Sequence, residues 1–271
     1  MAGLAESQAE LADDLTRSIR ASAKYRSLDE SLVRRVSAEA AQRFSDRKAA
    51  VKYARRKLHQ AFGAFLSGSP AREVTGVVQA VRSGQGDLRA AARPAMRAHA
   101  SSAERAAWLV PFYDQVARWC GIPDSVADLA CGLNPLAIPW MTLAPDAAYW
   151  ACEIDAELVT ALAGLDEIMP VRLTAASCDL VTSPPAVRAD VALMLKTVTT
   201  IDQQSAGAAG RVLAALDCRH VIVSLPRRSL SGRRGYSADP AAIAQHAAAG
   251  SPYRIRHEAA FGAELLYHLT P

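Results

Sequence analysis

Nothing in this 271-residue sequence approaches the roughly 18 to 20 uninterrupted apolar residues that a bilayer crossing needs. The N-terminus is acidic and amphipathic and lacks the basic and apolar regions of a secretory signal. These absences predict a cytoplasmic protein with no membrane partner. Aromatic residues are scarce at 6%, yet hydrophobic residues reach 51% and charged residues 21%, which excludes a disordered or fibrous chain. Cysteine is limited to five scattered residues, Cys120, Cys131, Cys152, Cys178 and Cys218, an odd number with no C-x-x-C pair. That pattern favours thiols over disulfides or structural zinc, and no metal is expected. Several lie in or beside apolar runs, where cysteine behaves as a small buried hydrophobe rather than a nucleophile. Internal repeats and long low-complexity tracts are absent as well, and the abundant alanine predicts many helices.

The net charge of +4 is unevenly spread. Residues 1–107 carry 19 Lys and Arg against 11 Asp and Glu, or +8, whereas residues 108–271 carry 12 against 16, or −4. Between Arg17 and Lys57 the balance is 13 basic to 4 acidic residues, including Arg34-Arg35, Arg47-Lys48 and Arg55-Arg56-Lys57. A polyanion suits such a stretch, although a solvated helix face would use the same residues.

Apolar residues in the first hundred positions recur at spacings of three and four, as in Leu28, Leu32, Val36 and later Val51, Ala54, Leu58, Phe62, Phe65. This predicts helices, with breaks at 67–70 and 83–86 and a further helix over 102–119 that stops at Gly121-Ile122-Pro123. Beyond it, short apolar runs at 126–130, 149–153, 171–174, 190–195 and 220–225 alternate with helical stretches at 156–168, 203–216 and 240–249. Alternation of this kind predicts a parallel, doubly wound sheet. Two last runs, 253–257 and 264–269, read as a terminal antiparallel hairpin. The expected layout is therefore a helical, basic domain over 1–107 followed by an α/β, Rossmann-like domain over 108–271.

Ligands of an open parallel sheet sit beyond the carboxyl ends of its strands. After the first strand comes Asp128-Leu129-Ala130-Cys131-Gly132-Leu133-Asn134-Pro135, a turn of small residues whose single glycine departs from G-x-G-x-x-G. A pyrophosphate is thus not the obvious guest. Glu153 ends the next strand, where a carboxylate can accept from both hydroxyls of a ribose, and Asp179 follows the third strand, placed to meet an adenine edge. A cofactor with adenosine but no phosphates fits these features: S-adenosylmethionine, in a class I methyltransferase.

The strings His99-Ala100-Ser101-Ser102-Ala103-Glu104-Arg105, Asp128 to Pro135, Leu193-Met194-Leu195-Lys196, Pro226-Arg227-Arg228-Ser229-Leu230 and Gly262-Ala263-Glu264-Leu265-Leu266-Tyr267 resemble the aminoglycoside-resistance 16S rRNA methyltransferases. The resemblance runs in order from Lys24-Tyr25-Arg26 to Tyr267. It implies methylation of N7 of a decoding-site guanine, with 16S rRNA in the 30S subunit as partner and a monomeric enzyme. By position it implies cofactor binding by Phe65, His99, Ala100, Ser101, Ala130, Gly132, Glu153, Asp179, Leu180, Leu195 and Gln204. Arg105 would pair with the methionine carboxylate, and Lys196 would lie beside the methyl-transfer site. Taken without the resemblance, Arg105 reads as a surface helix residue and Phe65 as a core position. Basic residues Arg55, Arg56 and Lys57, and Arg227, Arg228, Arg233 and Arg234, are expected to contact RNA. Leu225-Pro226-Arg227-Arg228 departs from the family's aromatic residue and Pro-Thr-Lys, and the loop from Ser231 to Tyr236 is shorter than the family's. The competing readings are a small-molecule methyltransferase and a non-catalytic ribosome-binding homologue.

Overall fold

A computed structural model describes residues 2–227 and 239–271, with side chains from Glu6 onward. Aspartates start many of its helices, because a carboxylate at the N-cap accepts from the free N–H groups of the first turn and favours the positive end of the helix dipole. After α1 (Ala2–Arg20), Asp29 caps α2 (Glu30–Arg43) through the Ser31 N–H at 2.9 Å. Asp46 likewise caps α3 (Arg47–Leu58) through the Ala49 N–H at 2.7 Å. These three helices and a π turn over His59–Gly63 bury Leu15, Ile19, Leu32, Val36, Leu58 and Phe62 in a core of their own.

α4 (Pro70–Arg82) and α5 (Leu88–Ala95) do not join that core. Their Val74, Val77, Ala92 and Ala95 pack instead in the apolar layer on one face of the sheet. The helix expected over 102–119 is two helices, α6 (Ala100–Arg105) and α7 (Leu109–Cys120). The chain turns between them, with the Trp108 N–H donating to the Arg105 carbonyl, and Arg105 is left pointing into the core.

The sheet follows: β1 (Ser125–Leu129), β2 (Ala148–Glu153), α8 (Ala156–Ala163), β3 (Arg172–Ser177) and β4 (Arg188–Leu195). After β4 come α9 (Val198–Gln204), α10 (Ala208–Ala215), β5 (Asp217–Pro226), α11 (Pro240–Ala248), β6 (Arg254–Phe261) and β7 (Glu264–Thr270). The strand order is β3-β2-β1-β4-β5-β7-β6; the first five are parallel, and β6 and β7 form the expected antiparallel hairpin. This is the Rossmann-like α/β architecture with a helical N-terminal region. The stretch 203–216 is not one helix, because Gly207 adopts the left-handed conformation at φ 71° and separates α9 from α10.

Backbone contacts join the helical region to the sheet. Leu28 bridges Asp155, the Asp29 N–H donates to the Ile154 carbonyl at 2.7 Å, and the Ala156 N–H donates to the Ser27 carbonyl at 2.8 Å. Leu66 similarly bridges His99.

Candidate functional site

The chain winds outward from β1 through β2 to β3, then crosses back to β4 and continues to β5, so a crevice opens at the carboxyl ends of β1 and β4. Both strands leave it through strained turns. Ala130 and Lys196, one residue past β1 and β4, hold φ at 53° and 59° although neither is glycine. A left-handed residue with a Cβ costs on the order of 1 kcal/mol or more, and such positions gather where structure serves a site. Gly132 at φ 52° is a glycine by necessity, since a Cβ there would lie 2.9 Å from the His99 ring.

A cleft occupies this crevice. Of the residues expected at the cofactor, Phe65, His99, Ser101, Ala130, Glu153, Asp179, Leu180, Leu195 and Gln204 line it, as does Lys196. Gly132 lies just behind the wall and donates its N–H to Glu153 Oε2 at 2.8 Å. Ala100 also stands behind, its N–H donating to the Phe65 carbonyl at 2.8 Å. Ala61, Phe62, Leu66, Ile154, Leu158, Thr197, Thr200 and Ile201 complete the lining. The apolar ones escaped the sequence reading because their spacing is that of ordinary core residues.

Glu153 is buried and fixed by two backbone donors, Gly132 N–H and Ile154 N–H, the latter at 2.7 Å to Oε1. Burial pushes its carboxyl above the usual range. Phe65 and His99 stack with ring centroids 5.7 Å apart, and His99 Nδ1 contacts Ser101 Oγ at 2.9 Å. Burial, aided by the Arg105 and Lys196 cations, lowers His99 to about 4, so the ring is neutral at pH 7.

The helical region supplies one rim of the cleft. Arg35 of α2 pairs with Asp179 at 3.1 Å and donates to Gln204 Oε1 at 2.8 Å, joining the expected adenine-side aspartate to another expected cofactor-binding residue. Sequence analysis placed Arg35 only in a basic run. Lys57 requires a correction of the same kind. It is expected on the RNA-facing surface, but its Nζ donates to the Gln203 carbonyl at 3.2 Å and lies 3.7 Å from Glu39, because the π turn that follows α3 packs against α9. Arg55 and Arg56 are exposed, with Arg56 over the Tyr53 ring. Arg227 is exposed beside the end of β5; Arg228, Arg233 and Arg234 lie outside the described residues.

Arg105 is not on the cleft wall. Its side chain, 1% exposed, donates to Glu264 Oε1 at 2.6 Å and to Asn134 Oδ1 at 3.0 Å, and it stacks over Phe112. Both terminal nitrogens therefore have partners within the fold, in place of the ligand carboxylate alone. Its Nε is buried without one among the described residues. Lys196 Nζ pairs with Glu104 and stands 4.0 Å from Glu264 Oε2. Burial would raise Glu264, but the Arg105 and Lys196 cations outweigh it and hold the carboxyl low. Asn134 also donates to Asp128, which accepts a second bond from the Tyr149 hydroxyl at 2.6 Å. Burial still raises Asp128 to about 6. Glu264 and Asn134 stood within the quoted motifs without a role, since nothing in their spacing shows that β1 and β7 converge on one arginine.

The sequence matches the ribosomal RNA methyltransferase (FmrO) family over residues 21–254. It is 54% identical over 256 residues, 93% of this chain and 85% of the relative, to a 16S rRNA (guanine(1405)-N(7))-methyltransferase of Micromonospora olivasterospora. The fold is similar to that of the 16S rRNA methylase RmtB, with a TM-score of 0.78 and 29% identity over 96% of this chain and 98% of that one. It is also similar to the 16S rRNA methyltransferase RmtF in complex with S-adenosyl-L-homocysteine, with a TM-score of 0.79 and 27% identity over the same shares.

Proposed function

The chain belongs to the ribosomal RNA methyltransferase (FmrO) family, and from that premise we propose that it is an S-adenosylmethionine-dependent enzyme that methylates N7 of a guanine in 16S rRNA. The observation that carries the reading is the crevice at β1 and β4, where a buried carboxylate anchored by two backbone donors and an aromatic stack meet. Its residues fit the cofactor. Glu153, on the cleft lining, keeps acceptor capacity beyond its two backbone donors, and the Arg105 Nε–H is a buried donor without a partner among the described residues.

Glu153 would hold the ribose hydroxyls, Asp179 and Leu180 the adenine, and Phe65 with His99 would cover the cofactor from the helical side. Arg105, whose terminal nitrogens are held by Asn134 and Glu264, would reach the methionine carboxylate only through its unpartnered Nε–H or by giving up one of those bonds. When bound, S-adenosylmethionine supplies an electrophilic methyl group. Guanine N7 carries a lone pair and no proton, so the protein has to align the base and exclude water rather than remove a proton. Lys196, which lines the crevice and is held by Glu104 and Glu264, would orient the incoming base.

The substrate form we propose is 16S rRNA within the 30S subunit, met in the cytoplasm by a monomer. Arg55, Arg56 and their neighbours would dock on phosphates, and one base would leave the stack to enter the crevice. Among the described residues no helix is long and apolar enough to cross a membrane, which accords with that setting. Tritiated methyl transfer to purified 30S subunits and to free 16S rRNA, followed by mapping of the modified base, tests the proposal. Label at guanine N7 in 30S subunits is expected. Transfer to purines or antibiotic intermediates instead, with none to RNA, would overturn it.

A further inference from the structure

The sheet face that carries Glu264 continues along β5 and β7 to a cluster that the methyl-transfer site does not use. Strand alternation puts Ser224, Ile222 and His220 on one face of β5, with Glu264, Leu266 and His268 beside them on β7. At one end of this double row Ser224 bonds Glu264; at the other, His220 Nδ1 and His268 Nε2 lie 2.9 Å apart. α7 crosses this face and ends at Cys120. One donor atom from each of Cys120, His220 and His268 lies within 4.8 Å of the others. Trp119 stacks on His268 at 5.5 Å and on His257 at 6.0 Å, closing one side.

His268 is only 4% exposed, and its Nδ1 has no partner among the described residues. Buried imidazole nitrogens are ordinarily satisfied, so a buried histidine whose one polar contact is another histidine calls for a ligand. We propose that Cys120, His220 and His268 form a binding site for a zinc-class divalent ion, with one thiolate, two imidazoles and a fourth position open to water. One sulfur and two nitrogens are the donor set of borderline-soft ions and a poor one for Mg²⁺ or Ca²⁺. On binding, the Cys120 thiol proton passes to solvent as the sulfur–metal bond forms, and the neutral imidazoles donate lone pairs; no oxidation state changes. The ion would join the end of α7 to β5 and β7. His268 is four residues along β7 from Glu264, roughly 13 Å at strand rise, so the site holds the strand that carries the partner of Arg105 and Lys196. The sequence hid the site because its three ligands come from three distant elements without metal-motif spacing.

The test uses the full chain without a polyhistidine tag, equilibrated with Zn²⁺ or Co²⁺ alone. One zinc per chain after dialysis is expected, together with a thiolate-to-cobalt charge-transfer band in the near ultraviolet. Cys120→Ser should abolish the band, and both Cys120→Ser and His220→Gln should weaken zinc binding by more than about 100-fold, beyond the loss of an outer-shell partner. Calorimetric binding of S-adenosylmethionine at wild-type affinity identifies variants that remain folded. A wild-type chain without the cobalt band, or folded variants that retain zinc as the wild type does, would overturn the site.

Discussion

Glu153 enters the crevice with two acceptor positions committed to Gly132 and Ile154, and a carboxylate offers about four. Glu153→Ala should weaken S-adenosylmethionine binding by on the order of 1 to 3 kcal/mol, roughly five- to a hundred-and-fifty-fold in Kd by calorimetry. Wild-type affinity in that variant would remove Glu153 from the site. Asp128 yields a prediction about pH. Its folded value of about 6 lies above its ordinary 3.8, so between these values the native state binds the extra proton and gains relative stability as pH falls. At pH 7 the buried carboxylate therefore costs on the order of 2 to 3 kcal/mol. Asp128→Asn removes the titration. The stability of the variant minus that of the wild type, from denaturant unfolding, should be greater at pH 7 than near pH 4 by up to that amount, and a pH-independent difference would refute the assignment.

At the scale of elements, α2 and α3 have separable duties. Arg35 on α2 faces inward to Asp179 and Gln204, whereas Arg55 and Arg56 on α3 face outward. Arg35→Ala leaves a buried carboxylate without its cation and should raise the S-adenosylmethionine Kd several-fold while lowering Tm. Arg55→Glu with Arg56→Glu should leave that Kd unchanged and abolish co-sedimentation with 30S subunits; unchanged co-sedimentation would sever α3 from RNA docking. These two duties cannot be told apart in the sequence, where all three arginines belong to one basic stretch. The strands were legible because buried parallel strands are short apolar runs, and Glu153 was legible because it ends one of them. The break between α6 and α7 had a local sign that the apolar periodicity masked, since Pro111 could not sit inside a continuous helix and falls in the first turn of α7; what the sequence hid is the contact of Arg105 with Glu264, 159 residues away. Gly207 did carry a local signal for the break before α10, outweighed in the reading by the alanine-rich run around it.

For the whole molecule, the uneven charge makes association with ribosomal RNA an ion-exchange process. Affinity for 30S subunits should fall steeply and linearly on a log–log plot against salt, whereas cofactor affinity should stay nearly flat. Expression in a sensitive bacterium should protect its ribosomes against 4,6-linked deoxystreptamine aminoglycosides such as gentamicin and kanamycin, since N7 methylation adds bulk and positive charge where cationic drugs bind. Growth assays should show that protection vanish with Arg105→Ala or Lys196→Ala variants that remain folded, and sensitivity despite soluble, cofactor-binding protein would point to another nucleotide. The backbone bonds between 27–29 and 154–156 bear on ancestry as well as stability. They tie the loop after α1 to the residues just past Glu153, so the helical region is not a detachable cassette that recombination could trade among relatives. A crossover between two homologous genes anywhere from codon 30 to codon 153 would mate one parent's loop with the other's strand exit. Backbone bonds can be made by almost any residues, so the constraint falls on the side chains at the joint, the Asp29 carboxylate that accepts from the Ser177 hydroxyl and Arg26 beside Glu157; viable chimeras should be those whose parents agree there, and these positions are expected to descend together.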